Sequence, residues 1–218
     1  MNIEIEIPVN ADVECTDGRC GTSTHVILNP YSRRVTHLVV REKAFPHADH
    51  LVPLGLLEES TPHFVRLRAS RQEVAALPAF TDTEFVPPER FPQGYRPGSV
   101  LFWPGMYPMD ATDAVDATDG LPSVLTVEHE LIPAGEVAVA RGTTVEATDG
   151  TVGQVDDFVV DPATERITHL VLRKGHLWGT RDVTVPADAI SRIDELAVRL
   201  KLDKRAVGAL PAVPAHRR

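Results

Sequence analysis

The sequence predicts a mainly β protein: two tandem small β-barrels, each with a short C-terminal helix, joined by an acidic linker rich in proline and aromatics. Three observations predict it. A stretch of about 75 residues occurs twice, which is a plausible size for a small domain. The local signals within each copy are short strands separated by tight turns. The segment between the copies differs from both in composition and charge.

The repeat is read directly. Residues 13–41 are VECTDGRCGTSTHVILNPYSRRVTHLVVR and residues 145–173 are VEATDGTVGQVDDFVVDPATERITHLVLR. At an offset of 132, 13 of 29 positions are identical, where ordinary residue frequencies give roughly two by chance. After a one-residue gap the match resumes, Val65-Arg66-Leu67-Arg68 with Val74 and Leu77-Pro78 meeting Val198-Arg199-Leu200-Lys201 with Val207 and Leu210-Pro211. A repeat of this kind governs the whole fold assignment. The layout is therefore a first repeat at 1–80, a linker at 81–134, a second repeat at 135–212 and a tail at 213–218.

Within each repeat, Asp17-Gly18 and Asp149-Gly150 mark hairpin turns, because glycine accepts the positive φ such turns need. Asn29-Pro30 and Asp161-Pro162 close the next strand. Val35-Thr36-His37-Leu38-Val39-Val40 and Ile167–Leu172 are β-branched runs of strand length. Val183-Thr184-Val185 and Val198-Arg199-Leu200-Lys201 alternate like half-buried strands. Ser70-Arg71-Gln72-Glu73 is a capping box that starts a helix, Asp203 caps its counterpart, and Pro78 and Pro211 end the two. Five or six short strands and one helix in so few residues bury a single face by curling into a small barrel.

Charge separates the three regions. Acids and bases sum to -2 over residues 1–80, -8 over 81–140 and +1 over 141–218, which together give the net -9. Gripping nucleic acid through phosphates needs a basic stripe, and only Arg217-Arg218 is basic in that sense, so direct nucleic-acid binding is not expected. Apolar runs of a few residues fall short of the about 20 that span a bilayer, so no membrane insertion is expected. The alternating start Met1-Asn2-Ile3-Glu4-Ile5-Glu6-Ile7 does not read as a signal peptide, which places the chain in the cytoplasm. In that compartment Cys15 and Cys20, across the Asp17-Gly18 turn, are expected to be free thiols rather than a disulfide or half of a metal site.

The order Thr148-Asp149-Gly150, Val152-Gly153, Asp161-Pro162, Arg166-Ile167-Thr168-His169-Leu170-Val171-Leu172-Arg173 and Val185-Pro186 resembles the PRC-barrel family. The first repeat carries most of it again, with Thr22 to His25 departing from Gln154-Val155-Asp156-Asp157. That family is named after the barrel of the photosynthetic reaction-centre H subunit, and the ribosome maturation factor has a similar barrel. The resemblance implies tandem PRC-type barrels used for protein contacts and assembly, without chemistry of their own.

Candidate chemistry is thin. His37 and His169 recur inside Thr-His-Leu-Val with no sequence neighbour at ligand spacing, so they are read as structural. His47-Ala48-Asp49-His50 is the nearest approach to a metal pattern, but it lies in a loop and has no evident third or fourth ligand. Asp156 and Asp157 are adjacent on a strand, point to opposite faces in a regular pleat and are read as a solvated strand face. Asp110, Asp113, Asp116 and Asp119 recur every third residue without the glycine and terminal glutamate of a calcium loop. No catalytic residue, metal site or cofactor is expected, nor an enzyme.

Seven of the twelve aromatics fall between Phe80 and Tyr107, among prolines, in a composition unlike a flexible linker. They either pack onto the barrels or form a recognition strip. Phe45, Trp103, Tyr107 and Trp178 are the candidate partner-binding residues, Phe45 being the rough first-repeat counterpart of Trp178. The expected function is a non-catalytic cytoplasmic scaffold or adaptor that binds another protein or a second copy of itself. The alternatives are a ribosome- or RNA-associated assembly factor and, last, a metal-dependent enzyme.

Overall fold

A computed structural model describes residues 5–43, 47–86, 100–102, 107–109, 125–174 and 181–211. The described residues are mainly β, with a curled sheet and two short α-helices. Residues 1–80 and 131–218 make one compact unit, and residues 81–130 make a second.

The first unit is built on the offset of 132. In the first repeat the strands are β1 (Ile5–Pro8), β2 (Asp12–Cys15), β3 (Gly18–Asn29), β4 (Arg34–Glu42), β5 (Asp49–Pro53), β6 (Leu57–Ser60) and β7 (Phe64–Leu67), followed by helix α1 (Arg71–Ala75). In the second they are β12 (Val137–Ala140), β13 (Thr144–Ala147), β14 (Gly150–Asp161), β15 (Arg166–Lys174), β16 (Arg181–Pro186), β17 (Ile190–Ile193) and β18 (Ala197–Leu200), followed by α2 (Lys204–Ala209). These fourteen strands form one sheet, and its main path, β17-β18-β13-β14-β15-β4-β3-β2-β7-β6, reads the same from either end once repeat equivalents are matched.

Strand pairing joins the halves in two ways. At the centre, β15 meets β4 at Arg166 and Arg34, flanked by Val35 N–H donating to Glu165 O at 2.8 Å and Ile167 N–H donating to Arg33 O at 2.9 Å. The larger link is an exchange of first strands. β1 of the first repeat pairs with β14 of the second, Ile5 opposite Val160 and Pro8 opposite Asp157. β12 of the second pairs with β3 of the first, Val137 opposite Leu28 and Ala140 opposite His25. Subtracting 132 from the β12 residue and adding 132 to its β3 partner gives the β1–β14 register, so the exchange is reciprocal. One apolar cluster runs through both repeats, with Ile7 and Val9 buried alongside Phe158 and Val160.

Local chemistry explains the elements. Gly18 and Gly150 have φ of 120° and 121°, as the two hairpin turns require. The aspartate before each glycine has a further task. Asp17 Oδ1 accepts the N–H of Arg71 and Asp149 Oδ1 accepts that of Lys204, both at 2.9 Å, so each hairpin tip holds the start of the following helix. Ser70 and Glu73 form the reciprocal capping box, and Asp203 accepts from Ala206 N–H at 2.7 Å. Val74 and Val207 anchor the two helices in the core.

The long strands β3 and β14 are each irregular at two places, Ser23/His25 with Ile27/Leu28, and Val155/Asp157 with Val159/Val160. Such bulges bend a strand and raise its twist, which lets one strand pair along its length with several partners. The repeated threonine of Thr-His-Leu-Val serves the second bulge: Thr36 and Thr168 donate to the carbonyls of Ile27 and Val159, at 3.3 and 3.2 Å.

Gly21 and Gly153 sit where strands approach closely. A Cβ at either would collide with a backbone carbonyl, of Arg41 or Arg173. Gly21→Ala is expected to force β3 from β4 and to destabilise by about 1–3 kcal/mol, the range of overpacked cores. A denaturant midpoint equal to wild type would refute this.

Among the described residues the second unit contains two antiparallel pairs. β8 (Thr81–Val86) pairs with β11 (Leu125–Glu130), and β9 (Val100–Phe102) pairs with β10 (Tyr107–Met109). Among the described residues no helix is long and apolar enough to cross a membrane.

Candidate functional site

A group of polar residues gathers where β1 enters the second repeat. Two adjoining cavities, of about 490 and 220 Å³, share Asn10, Arg141, Asp156 and Arg173 in their walls. Asp157 and Val9 line the smaller one.

Asp156 is 5% exposed and sits between two guanidinium groups. Arg141 Nε donates to its Oδ1 at 2.7 Å, and Arg173 Nη2 donates to its Oδ2 at 2.8 Å. Arg173 also lies 3.6 Å from Asp182. Asp157 is 7% exposed and accepts the backbone N–H of Val9 at 3.2 Å. Burial pushes its carboxyl up to about 7, the negative charges of Asp156 and Glu6 add to the rise, and the Val9 N–H and Arg141 oppose it.

The expectation of a solvated strand face at Asp156 and Asp157 is thus corrected. The argument assumed a regular pleat, but the register shifts between Val155 and Asp157, so both carboxylates turn into the protein. Sequence reasoning also missed Arg141 and Asn10. Arg141 follows β12 and Asn10 follows β1, so the strand exchange brings both here, and Asn10 takes a positive φ of 72°.

The first repeat holds a different version of this arrangement. Thr24 and His25 replace the two aspartates, and Arg41 makes a two-pronged contact with buried Asp49 at 2.9 and 2.8 Å. His25 stacks at a tilt on Phe80, centroids 5.1 Å apart. Phe80 is 1% exposed and belongs to a second apolar cluster with Ile27, Val39, Leu51 and Ala138. This one aromatic of the 80–108 group therefore packs as core.

The histidines have structural partners. His37 and His169 contact Thr36 and Thr168 through Nδ1 at 3.0 and 3.1 Å. His37 also lies 4.0 Å from Glu136, an acid far off in sequence that the exchanged β12 brings near. In the His47–His50 stretch, Asp49 is taken by Arg41, and buried His50 bridges Leu77 O and Glu42 Oε1, both at 3.2 Å. Among the described residues no three His, Cys, Asp or Glu side chains are grouped to hold a metal.

The free-thiol expectation is overturned. Cys15 and Cys20 form a disulfide with Cα atoms 5.7 Å apart, well within the range such a bond spans. They face each other across the Asp17-Gly18 turn because β2 and β3 are paired there.

Of the four candidate partner-binding residues, Phe45, Trp103 and Trp178 lie outside the described residues. Tyr107 begins β10 opposite Phe102, and its side chain lies outside the described set. The Asp110–Asp119 series also falls outside it.

A comparison with curated proteins gave no match. The family model of the PRC-barrel domain matches residues 140–206, from the end of β12 into α2.

Proposed function

We propose that the chain is a non-catalytic cytoplasmic scaffold or adaptor, built on two tandem PRC-type barrels, that binds another protein or a second copy of itself. The observation that supports this is the reciprocal strand exchange. It ties both repeats into one unit that presents two related but unequal halves, one built around the Thr24-His25 version of the bulge and one around the buried Asp156-Asp157 version. Two linked binding surfaces raise affinity through effective concentration without new contacts. Phe45, Trp103, Tyr107 and Trp178 are the anchors, because large aromatics dominate binding hot spots.

The test is a pull-down from source-cell lysate, with and without nuclease, using wild type and Trp103→Ala/Trp178→Ala. A specific protein is expected that survives nuclease and is lost with the double variant. A ribosomal catch that disappears with nuclease would replace this reading with RNA-associated assembly. No specific capture, together with no self-association by sedimentation, would overturn it.

A further inference from the structure

The two Asp-Gly hairpins correspond position for position, yet they differ at two buried sites. The first has Cys15 and Cys20; the second has Ala147 and Val152. The contacts that hold the following helix are shared. Each aspartate holds the next helix, and each preceding threonine donates its N–H to a carbonyl just ahead of that helix, Thr16 to Ala69 at 3.0 Å and Thr148 to Leu202 at 2.9 Å. The second repeat is therefore an internal control. This hairpin and its helix form without a covalent bond, so the disulfide is an addition that the local fold does not require.

The two sulfurs also differ in access. Cys20 lines a cavity of about 610 Å³ whose wall carries Arg19, Lys43 and Arg71 against Asp17 and Glu42, and Cys15 is not among its lining residues. The wall itself carries three cations and two carboxylates, with Arg71 paired to Asp17 at 3.2 Å and Arg19 to Asp12 outside the wall. Cationic side chains in partly open surroundings of this kind favour a thiolate near a disulfide sulfur, and exchange proceeds by thiolate attack.

We propose that Cys15–Cys20 is a reversible thiol–disulfide site, opened at Cys20 by a small anionic thiol that enters this cavity. The incoming thiolate forms a bond to Cys20 Sγ, the Cys15–Cys20 bond breaks, and its electron pair leaves on Cys15 Sγ, which takes a proton from water. A second thiolate attacks the outer sulfur of the mixed disulfide and releases Cys20 as a thiolate. Two small thiols become one small disulfide, and the protein disulfide gains two electrons. Oxidation runs the same steps backwards. The change reaches the surroundings directly, since Cys20 O accepts the N–H of Lys43 at 3.0 Å and the hairpin tip holds α1. The second repeat does not respond.

The test uses the full-length oxidised protein under native conditions. It is treated with reduced glutathione, an anionic thiol, or with cysteamine, a cationic one, at equal thiolate concentration. Acid quenching, alkylation and peptide mass mapping follow. The disulfide is expected to open in the folded protein, several-fold faster with glutathione, and the preference is expected to shrink at high salt. The substitutions Cys15→Ala and Cys20→Val copy the second repeat. With oxidised glutathione, Cys15→Ala is expected to gain one adduct at Cys20, and Cys20→Val none at Cys15. A bond that opens only after denaturation, an equal or reversed rate order, or an adduct at Cys15 alone would overturn the proposal. The wild-type rates decide the matter if either variant fails to fold.

Discussion

Ile7→Ala is expected to cost about 2–5 kcal/mol and to bring down both repeats in a single transition. Ile7 lies in β1, at the very start of the first repeat, but its strand partner is Phe158 in β14 of the second. Both side chains are fully buried and belong to the cluster that runs through the two repeats. Truncation leaves a void beside the largest side chain of that cluster, which the rigid strands around it fill only in part. The effect crosses the repeat boundary because the exchange makes each first strand part of the other half. Val139, which corresponds to Ile7, faces Val26, so Val139→Ala removes less volume and is expected to cost less. Hydrogen exchange during denaturant titration checks this, read at the amides of β3 and β14. Both strands are expected to lose protection at one shared, lowered midpoint. Loss confined to β14, with β3 still protected, would show that the repeats fold independently.

That coupling was not legible in the sequence, and the reason is physical. The alternation Ile3-Glu4-Ile5-Glu6-Ile7 signals a strand with one buried face. It carries no information about which sheet edge receives it. The offset of 132 makes β1 and β12 equivalents, but an unexchanged and an exchanged pairing satisfy that equivalence equally well. Local chemistry, by contrast, was readable. Asp17-Gly18 and Asp149-Gly150 turn where expected because a positive φ admits few residues, and Ser70-Glu73 caps α1 because its two hydrogen bonds lie within one helical turn.

The candidate site shows the same division. Asp156 and Asp157 were seen, but their burial depends on a bulge that the alternation rule excludes by construction. Arg141 carried no sequence signal, since its counterpart in the first repeat is Val9. Glu136 reaches His37 only through the exchange. For Cys15 and Cys20 the hairpin geometry permitted a bond, and an assumption about compartment outweighed it.

Asp157 should make the folded state lose stability as pH rises from the ordinary carboxylate range towards neutrality. Its carboxyl stands near 7 in the folded protein against 3.8 when unperturbed, so between those values the folded state holds a proton that the unfolded state has released. This group therefore opposes unfolding most strongly at the acid end of the window. Its contribution is lost by about pH 7 and flat above. At 1.36 kcal/mol per pKa unit the ceiling is about 4 kcal/mol, and residual solvent access lowers it. Other carboxylates act in the opposite sense. The Arg71 N–H holds Asp17 below its usual range and the Ser70 N–H does the same for Glu73. Their contributions are present above the unperturbed carboxylate values and are lost as pH falls below them. The two sets therefore act in opposite senses as pH changes. Asp157→Asn separates them, because the amide oxygen still accepts from Val9 N–H while the buried charge is gone. The variant is expected to match wild type near pH 4, to exceed it by a few kcal/mol at pH 8 and to lose the decline between. Chemical denaturation across that range measures it directly. A variant no more stable than wild type at pH 8 would mean that Arg141 and Arg173 already compensate the second carboxylate, and that the β1–β14 seam accommodates both aspartates ionised.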